Sequence, residues 1–381
     1  MALDGTGPAI APIPTVSATT SSEYVNQLLA ATRPGEGAAP LEHDEIALVM
    51  ATSGSTQRPK GVLHTARTVT ALSTAALGAS AGVPQWIAAL PVTSMGGMNV
   101  LIRALECGLP PIAVASVGGA GPFTPGAFVA AFASARERSA DVRVSLVAAQ
   151  LRRLLSDEAG SHALQQCTQI LVGGGPLPHV TAEAARAAGV AVTTTYGATE
   201  TAGGCVFDGR PLEGVQVSID PLDSQILLGG PMVALGYRCD PELTARQFSD
   251  GRYRTGDIGE LGSTLVITGR LDDVVTVNGV NVAVQRVEEV LSGSGLVDSC
   301  AVVVEQDAAG ESQLHAAVTV SDTAAIPGLR EQLRSAVRTA LGAAAVPQTF
   351  AVLDSLPMLP NGKVDRRSLT SSIGDGATWQ R

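Results

Sequence analysis

The chain has 381 residues, 45% of them hydrophobic and 16% charged, enough apolar surface to bury a large core, which excludes a disordered tail. Its formal net charge is −10, with no surplus of Lys and Arg to form a nucleic-acid footprint. The five cysteines (Cys107, Cys167, Cys205, Cys239 and Cys300) are far apart and form no CxxC pair, which excludes a disulfide scaffold or a short-spaced zinc ribbon and fits a reducing, cytoplasmic setting.

The N-terminus, Met1-Ala-Leu-Asp4, has no basic stretch ahead of an apolar run, so no signal peptide is expected. Ser22–Thr32 predicts a short helix. Residues 45–51 read as an apolar strand entering a loop dense in glycine and hydroxyls, Thr52-Ser-Gly-Ser-Thr-Gln-Arg-Pro-Lys-Gly61, with a helix following to about Leu77. Residues 68–102 carry no charge and are long enough to span a bilayer. Gly78, Gly82, Pro84, Pro91, Gly96 and Gly97 interrupt them, so they read as buried helix, turn and strand, without stable membrane insertion. Residues 86–91 predict a strand. Residues 128–135 and 145–157 predict helices, the latter with Ser145 as its N-cap. Strands are expected at 169–172, ending in Gly173-Gly-Gly175, and at 190–195, running into Tyr196-Gly-Ala-Thr-Glu200. Strands alternating with helices, with glycine turns after the strands, point to α/β architecture.

Past residue 210 the texture changes to short strand-like pieces at 215–219, 225–228, 260–261 and 265–268, a small β-rich subdomain. A strand at 274–277, a short helix at 284–291 and strands at 301–304 and 314–320 follow. Leu329, Leu333, Val337 and Leu341 then recur every fourth residue, the stripe of an amphipathic helix. This last stretch predicts a separate α+β unit.

Five segments carry chemistry. In Thr52–Gly61 the backbone can turn tightly, and N–H groups with hydroxyls can wrap phosphate oxygens. The order Pro59-Lys60-Gly61 is not that of a Walker A loop, and a plain strand-to-helix loop stays open. Thr195-Tyr-Gly-Ala-Thr-Glu200 offers a ring to stack on a purine and a carboxylate for Mg²⁺, or a strand end with a solvated acid. Arg252-Tyr-Arg-Thr-Gly-Asp257 sets a carboxylate after a glycine turn, suited to the two hydroxyls of a ribose or simply a turn acid. Thr268-Gly-Arg-Leu-Asp-Asp273 precedes Val277-Asn-Gly-Val-Asn281. Leu359-Pro-Asn-Gly-Lys363-Val-Asp-Arg366 raises a lysine on an Asn-Gly turn, which is also what a surface hairpin tip looks like. Of the 25 basic residues only Lys60 and Lys363 are lysines, and both fall inside these segments.

In this order, from about residue 44 to 369, the five segments resemble the signature series of the adenylate-forming superfamily: acyl-CoA synthetases, peptide-synthetase adenylation domains and luciferases. The resemblance implies a large N-terminal nucleotide- and acyl-binding domain (1–269) and a small mobile C-terminal domain (270–381), hinged near 270–273 with Asp272 as the hinge residue. It implies ATP, Mg²⁺ and coenzyme A as cosubstrates and cofactor, with a small carboxylate as acyl donor. Carried over by position, Thr52, Ser53, Gly54, Ser55, Thr56 and Lys60 form the phosphate loop. Gly173, Gly174, Gly175 and Pro176, with Thr195, Tyr196, Gly197 and Ala198, line the adenine and acyl pocket. Thr199 touches the α-phosphate, Glu200 binds Mg²⁺, Asp257 holds the ribose with Arg270 nearby, Lys363 is the adenylation lysine, and Gly279 lies on the loop that reaches the pantetheine channel.

The short stretch ahead of the phosphate loop, with Leu90-Pro-Val-Thr-Ser-Met-Gly-Gly97 and the helix around Gln150, looks like the compact o-succinylbenzoate–CoA ligases of menaquinone biosynthesis. Gln57, Ser94 and the pair Ala148-Ala149 depart from the usual glycine, His or aromatic, and Pro-Thr, and bear on acyl specificity. Another aryl- or acyl-CoA ligase, a carrier-protein-loading enzyme, or a non-catalytic nucleotide-binding homologue are the alternatives, and a homo-oligomer stays open. His64 reads as a structural residue close to the site, and Cys205 as a small packing residue.

Overall fold

The computed structural model describes residues 7–15, 22–35, 41–52, 59–77, 82–118, 122–271, 273–306, 311–320, 328–358, 364–373 and 379–380. Two compact units divide the chain: Met1–Leu177, Thr181–Thr255 and Glu260–Val266 form the first, and Pro178–Val180, Gly256–Gly259 and Ile267–Arg381 the second.

The first unit is built on a sheet whose strands, in spatial order, are Ile112–Ala113, Gln85–Ala88, Val142–Leu146, Gln169–Val172, Thr193–Ala198, Gly203–Phe207 and Arg210–Pro211. The first five are parallel and the last two antiparallel. Gln85–Ala88 and Val142–Leu146 are buried at every position, as parallel strands covered on both faces must be. On one face Ile87, Val144, Leu146 and Ile170 pack with Phe128, Leu151 and Leu154 of the helices Pro125–Arg138 and Ala148–Leu155. On the other, Trp86 and Leu171 pack with Val100 and Ala104 of the helix Met95–Cys107. Each such side chain taken from water contributes about 1.5–3 kcal/mol.

The chain enters this sheet at Gln85–Ala88, goes to one side for Ile112–Ala113 and then to the other for the remaining parallel strands. That reversal is a topological switch point, and ligands in open α/β sheets bind beyond the carboxyl ends of strands there. Gln150 spans this place: its Nε2 donates to the carbonyl of Ala89, and its Oε1 accepts from the N–H of Val147, joining the ends of the two strands that part.

Two local expectations are corrected. Ser145 caps no helix; it lies inside the strand Val142–Leu146, and the helix begins after Val147, where the Gln150 side chain takes the capping role. No helix follows the phosphate loop directly. Lys60–Thr65 is instead a strand, paired antiparallel with Ile46–Thr52, and the helix Ala66–Leu77 comes after it. The uncharged 68–102 stretch is helix, strand and helix start among its described residues, and no described helix is long and apolar enough to cross a membrane.

The first unit also holds the antiparallel strands Gln216–Ile219, Gln225–Gly229 and Phe248–Ser249 and the first residues of the strand Arg252–Leu261. This is the β-rich subdomain expected past residue 210.

The second unit is α+β. Ser299–Gln306 pairs antiparallel with Ser312–Thr319, and Thr349–Leu353 runs parallel beside the latter. Its core gathers Val287 and Leu291 from Val284–Gly293, Leu333 and Val337 from Leu329–Leu341, and Leu314 and Phe350 from the sheet. Val274–Val277 and Val280–Ala283 form a hairpin closed by Asn278 and Gly279, both at positive φ (49° and 78°), the geometry that an Asn-Gly turn supplies with least strain.

Candidate active site

The strand Ile46–Thr52 ends where Lys60–Thr65 begins, and Thr52 faces Lys60 in register, so the two ends of the predicted phosphate loop are pinned together. Ser53, Gly54, Ser55 and Thr56 lie outside the described residues, as do Asp272 and Lys363.

Thr193–Ala198 carries Thr195, Tyr196, Gly197 and Ala198 and leads into the 3₁₀ turn Thr199–Thr201. Gly173 follows the neighbouring parallel strand. A Cβ on it would overlap Thr195 Oγ1, so glycine is required there for the two segments to approach. Gly174, at φ 81°, Gly175 and Pro176 are exposed just beyond.

Glu200 is 7% exposed. Its Oε1 accepts a hydrogen bond of 2.8 Å from the Tyr237 hydroxyl. Burial pushes its carboxyl above the usual carboxylate range, opposed by hydrogen bonds from its own N–H, Tyr237 and Tyr253 and by the charge of Lys60. Lys60 Nζ lies 5.3 Å from the centre of the Tyr237 ring, a cation–π distance. Glu200, Lys60, Tyr237 and Tyr253 therefore form one cluster, fed by four separate segments. The Tyr237 hydroxyl, buried beside this carboxylate, is itself pushed to high pKa and stays a donor.

The turn is held from outside as well. His64 Nε2 is 2.8 Å from the Thr199 carbonyl, and Asn99 Nδ2 donates to the Ala202 carbonyl at 2.8 Å. Burial pulls His64 down to about 4. It is a neutral ring at neutral pH, with Nε2 carrying the proton because a carbonyl can only accept.

A hard divalent cation fits this donor set. Among the described residues no group of three or more acidic, His or Cys side chains gathers. A single buried carboxylate matches the way Mg²⁺ is bound beside substrate phosphates, through one or two carboxylates and not a protein cage.

In the second unit Asp257 and Arg270 meet: Arg270 Nη1 donates to Asp257 Oδ1 at 2.9 Å, and the N–H of Leu271 donates to the Gly256 carbonyl at 2.8 Å. Gly279 is exposed at the hairpin tip.

Sequence reasoning missed Tyr237 and Asn99, which no local signal in the sequence marks. Arg103, one turn past Asn99 on the Met95–Cys107 helix, is 3% exposed. Its guanidinium carbon sits 5.3 Å from the Trp86 ring centre, and among the described residues its Nε has no hydrogen-bond partner. Burial pulls it down to about 10, with Glu106 acting in the opposite direction and Arg143 adding to the fall. Trp86 faces Arg143 in register, so Arg103 lies toward the end of the sheet away from the motifs. Cys205 is fully buried and its thiol is pushed up to about 12, so it packs and does not react.

Comparison with known proteins shows the family. Residues 10–237 match the model of the AMP-binding enzyme family, and residues 286–363 that of the AMP-binding enzyme C-terminal domain. A probable 2-succinylbenzoate–CoA ligase of Mycobacterium tuberculosis is 36% identical over 373 residues, covering 96% of this chain and 92% of the relative. A 2-succinylbenzoate–CoA ligase of Listeria innocua is 28% identical over 340 residues, covering 85% and 69%. Among solved structures, O-succinylbenzoate coenzyme A synthetase from Bacillus subtilis in complex with AMP superimposes with a TM-score of 0.72 at 25% identity, over 91% of this chain and 73% of that one. An amide bond synthetase from Marinactinospora thermotolerans gives 0.73 at 28% identity, over 96% and 76%. The parallel sheet with its glycine turns, the two matching family models and the 36% identical relative together make this chain a member of the AMP-binding enzyme family.

Proposed function

We propose that the chain is an ATP-dependent carboxylate–CoA ligase acting through an acyl-adenylate, with 2-succinylbenzoate as its acid. The observation that carries this reading is the gathering of Glu200, Lys60 and the Thr199 turn at the mouth of a glycine- and hydroxyl-rich loop. A free carboxylate is a poor acyl donor because oxide would have to leave. Its oxygen attacks the α-phosphate of ATP instead, forming the acyl–O–P bond and breaking the bond to pyrophosphate. The thiol of CoA then attacks the acyl carbon, its proton passes to solvent, and AMP leaves.

In this reading Thr52, Ser53, Gly54, Ser55, Thr56 and Lys60 cradle the phosphates, and Thr199 contacts the α-phosphate. Gly173–Pro176 and Thr195–Ala198 line the adenine and acyl pocket. Asp257 accepts from the ribose hydroxyls while Arg270 orients it. Lys363 stabilises charge between carboxylate and α-phosphate, and Gly279 lies on the path of the pantetheine arm. Glu200 would hold Mg²⁺, which when bound offsets phosphate charge. A hinge at Asp272, between domains 1–269 and 270–381, would serve the two steps in turn. Five free cysteines support a reducing, cytoplasmic setting.

The choice of acid is supported by the relatives: the Mycobacterium tuberculosis chain that is 36% identical and covered over 92% of its length bears the name of a probable 2-succinylbenzoate–CoA ligase. The test is CoA-dependent AMP release with 2-succinylbenzoate, benzoate and medium-chain acids, and with an amine replacing CoA. Stimulation by 2-succinylbenzoate with CoA is expected. AMP release only with other acids would reject the substrate, and release only with the amine would favour amide synthesis.

A further inference from the structure

His64 and Asn99 stand outside every motif that the proposed mechanism uses, yet both side chains are buried and both end on the turn that carries Thr199 and Glu200. His64 is fully buried in the strand that starts at Lys60, and Asn99 is 3% exposed on the Met95–Cys107 helix. The imidazole donates to the carbonyl of Thr199, and the amide donates to the carbonyl of Ala202, each at 2.8 Å. These two carbonyls bracket the turn.

Between them the backbone is strained: Ala202 sits at φ 54°, in the left-handed region, with a side chain. A Cβ on the next residue, Gly203, would overlap Asn99 Nδ2, so helix and turn are in close contact. From within, Thr201 Oγ1 accepts from the N–H of Ala198 at 2.9 Å and lies 3.0 Å from the Gly203 carbonyl. Such a conformation persists only where its surroundings over-determine it, and strain of this kind gathers at functional sites.

We propose that His64 and Asn99 are positioning residues, a two-point clamp that sets Thr199 and Glu200 in place relative to the strand beginning at Lys60. The inference rests on the reading in which Thr199 and Glu200 handle the α-phosphate and Mg²⁺. It explains what that reading leaves open, namely how groups from two distant segments keep a common frame. His64 is the direct tie, because one strand bears Lys60 at its start and His64 four residues on. Second-sphere partners of metal-binding groups characteristically act in this way, through orientation and not contact.

The test uses the full chain and three measurements: thermal melting, pyrophosphate release, and calorimetric binding of MgATP without acid. Gln at position 64 can offer an amide N–H toward the same carbonyl, whereas Leu cannot. His64→Leu is expected to lower the turnover number about 100-fold per folded molecule, as misplacement by an ångström does. MgATP binding should weaken about tenfold, and His64→Gln should recover most of both. Equal activity and binding in the Leu and Gln variants would overturn the clamp. Should His64→Leu not fold, Asn99→Ser carries the test with the same expected losses, and unchanged binding and turnover there would overturn it. Thr199→Val and Glu200→Gln run alongside. Full activity in those two overturns the underlying reading, whereas their loss with His64→Leu intact overturns the clamp alone.

Discussion

The imidazole of His64 is fully buried and hydrogen-bonded to the Thr199 carbonyl, so the fold sets its proton balance. His64 is depressed from 6.5 to about 4 in the folded chain. Between these values the unfolded chain binds more protons than the folded one. The stability that a neutral buried His64 allows is thus present above about pH 6.5 and lost as pH falls toward 4. The loss is about 3 kcal/mol. Urea melts at pH 7.5 and 4 should show that much more destabilisation in the wild type than in His64→Gln, and parallel losses would contradict it.

At the scale of elements, the end of the parallel sheet that carries the motifs is held by backbone turns, while its other end is stapled by an ion pair. Arg143, in the strand Val142–Leu146, donates through Nε and Nη2 to both oxygens of Asp141 at 2.9 and 2.8 Å, and through Nη1 to the Leu77 carbonyl at the end of a helix. Its side chain is 6% exposed. Asp141→Asn would leave a buried guanidinium without its counter-charge, which typically costs about 3–5 kcal/mol. Denaturant unfolding should show that loss with turnover per folded molecule unchanged, and a loss of under about 1 kcal/mol would mean that the pair is effectively solvated. The elements that were legible in sequence are those with one clear period. Leu329, Leu333, Val337 and Leu341 mark a helix because its other face is wet, and Gln169–Val172 is a short apolar run closed by glycines. Lys60–Thr65 escaped because five of its six residues are buried, so no alternation marks it. Ser145 misled for a related reason: a hydroxyl in a strand buried throughout looks like a cap when the strand is not seen. The candidate residues divide along the same line. Thr199, Glu200, Asp257 and Arg270 lie in contiguous motifs, whereas Tyr237 and Asn99 acquire meaning only when distant segments fold together.

For the whole molecule, the two units each contain one of the two lysines, Lys60 in the first and Lys363 in the second. The proposed reaction likewise has two steps with different electrostatic demands. Adenylation gathers a carboxylate and a triphosphate, so negative charge has to be offset as the new oxygen–phosphorus bond forms. Thioester formation starts from a mixed anhydride whose leaving group, AMP, is already activated and needs no cation between acid and phosphate. A lysine that serves only the first step can be separated from the second by supplying the intermediate. Lys363→Ala should lower pyrophosphate release about 100-fold or more, the usual cost of removing one electrostatic contact to a transition state. The same variant, given synthetic acyl-adenylate and CoA, should form thioester at close to the wild-type rate, whereas a general loss of structure would depress both reactions together. Lys60→Ala makes the counterpart: Lys60 lies beside Glu200 and Tyr237, and in the proposed role of a phosphate-binding cation its loss should weaken MgATP binding while sparing the thioester step. Pyrophosphate release near the wild-type rate in Lys363→Ala would take the second unit's lysine out of adenylation.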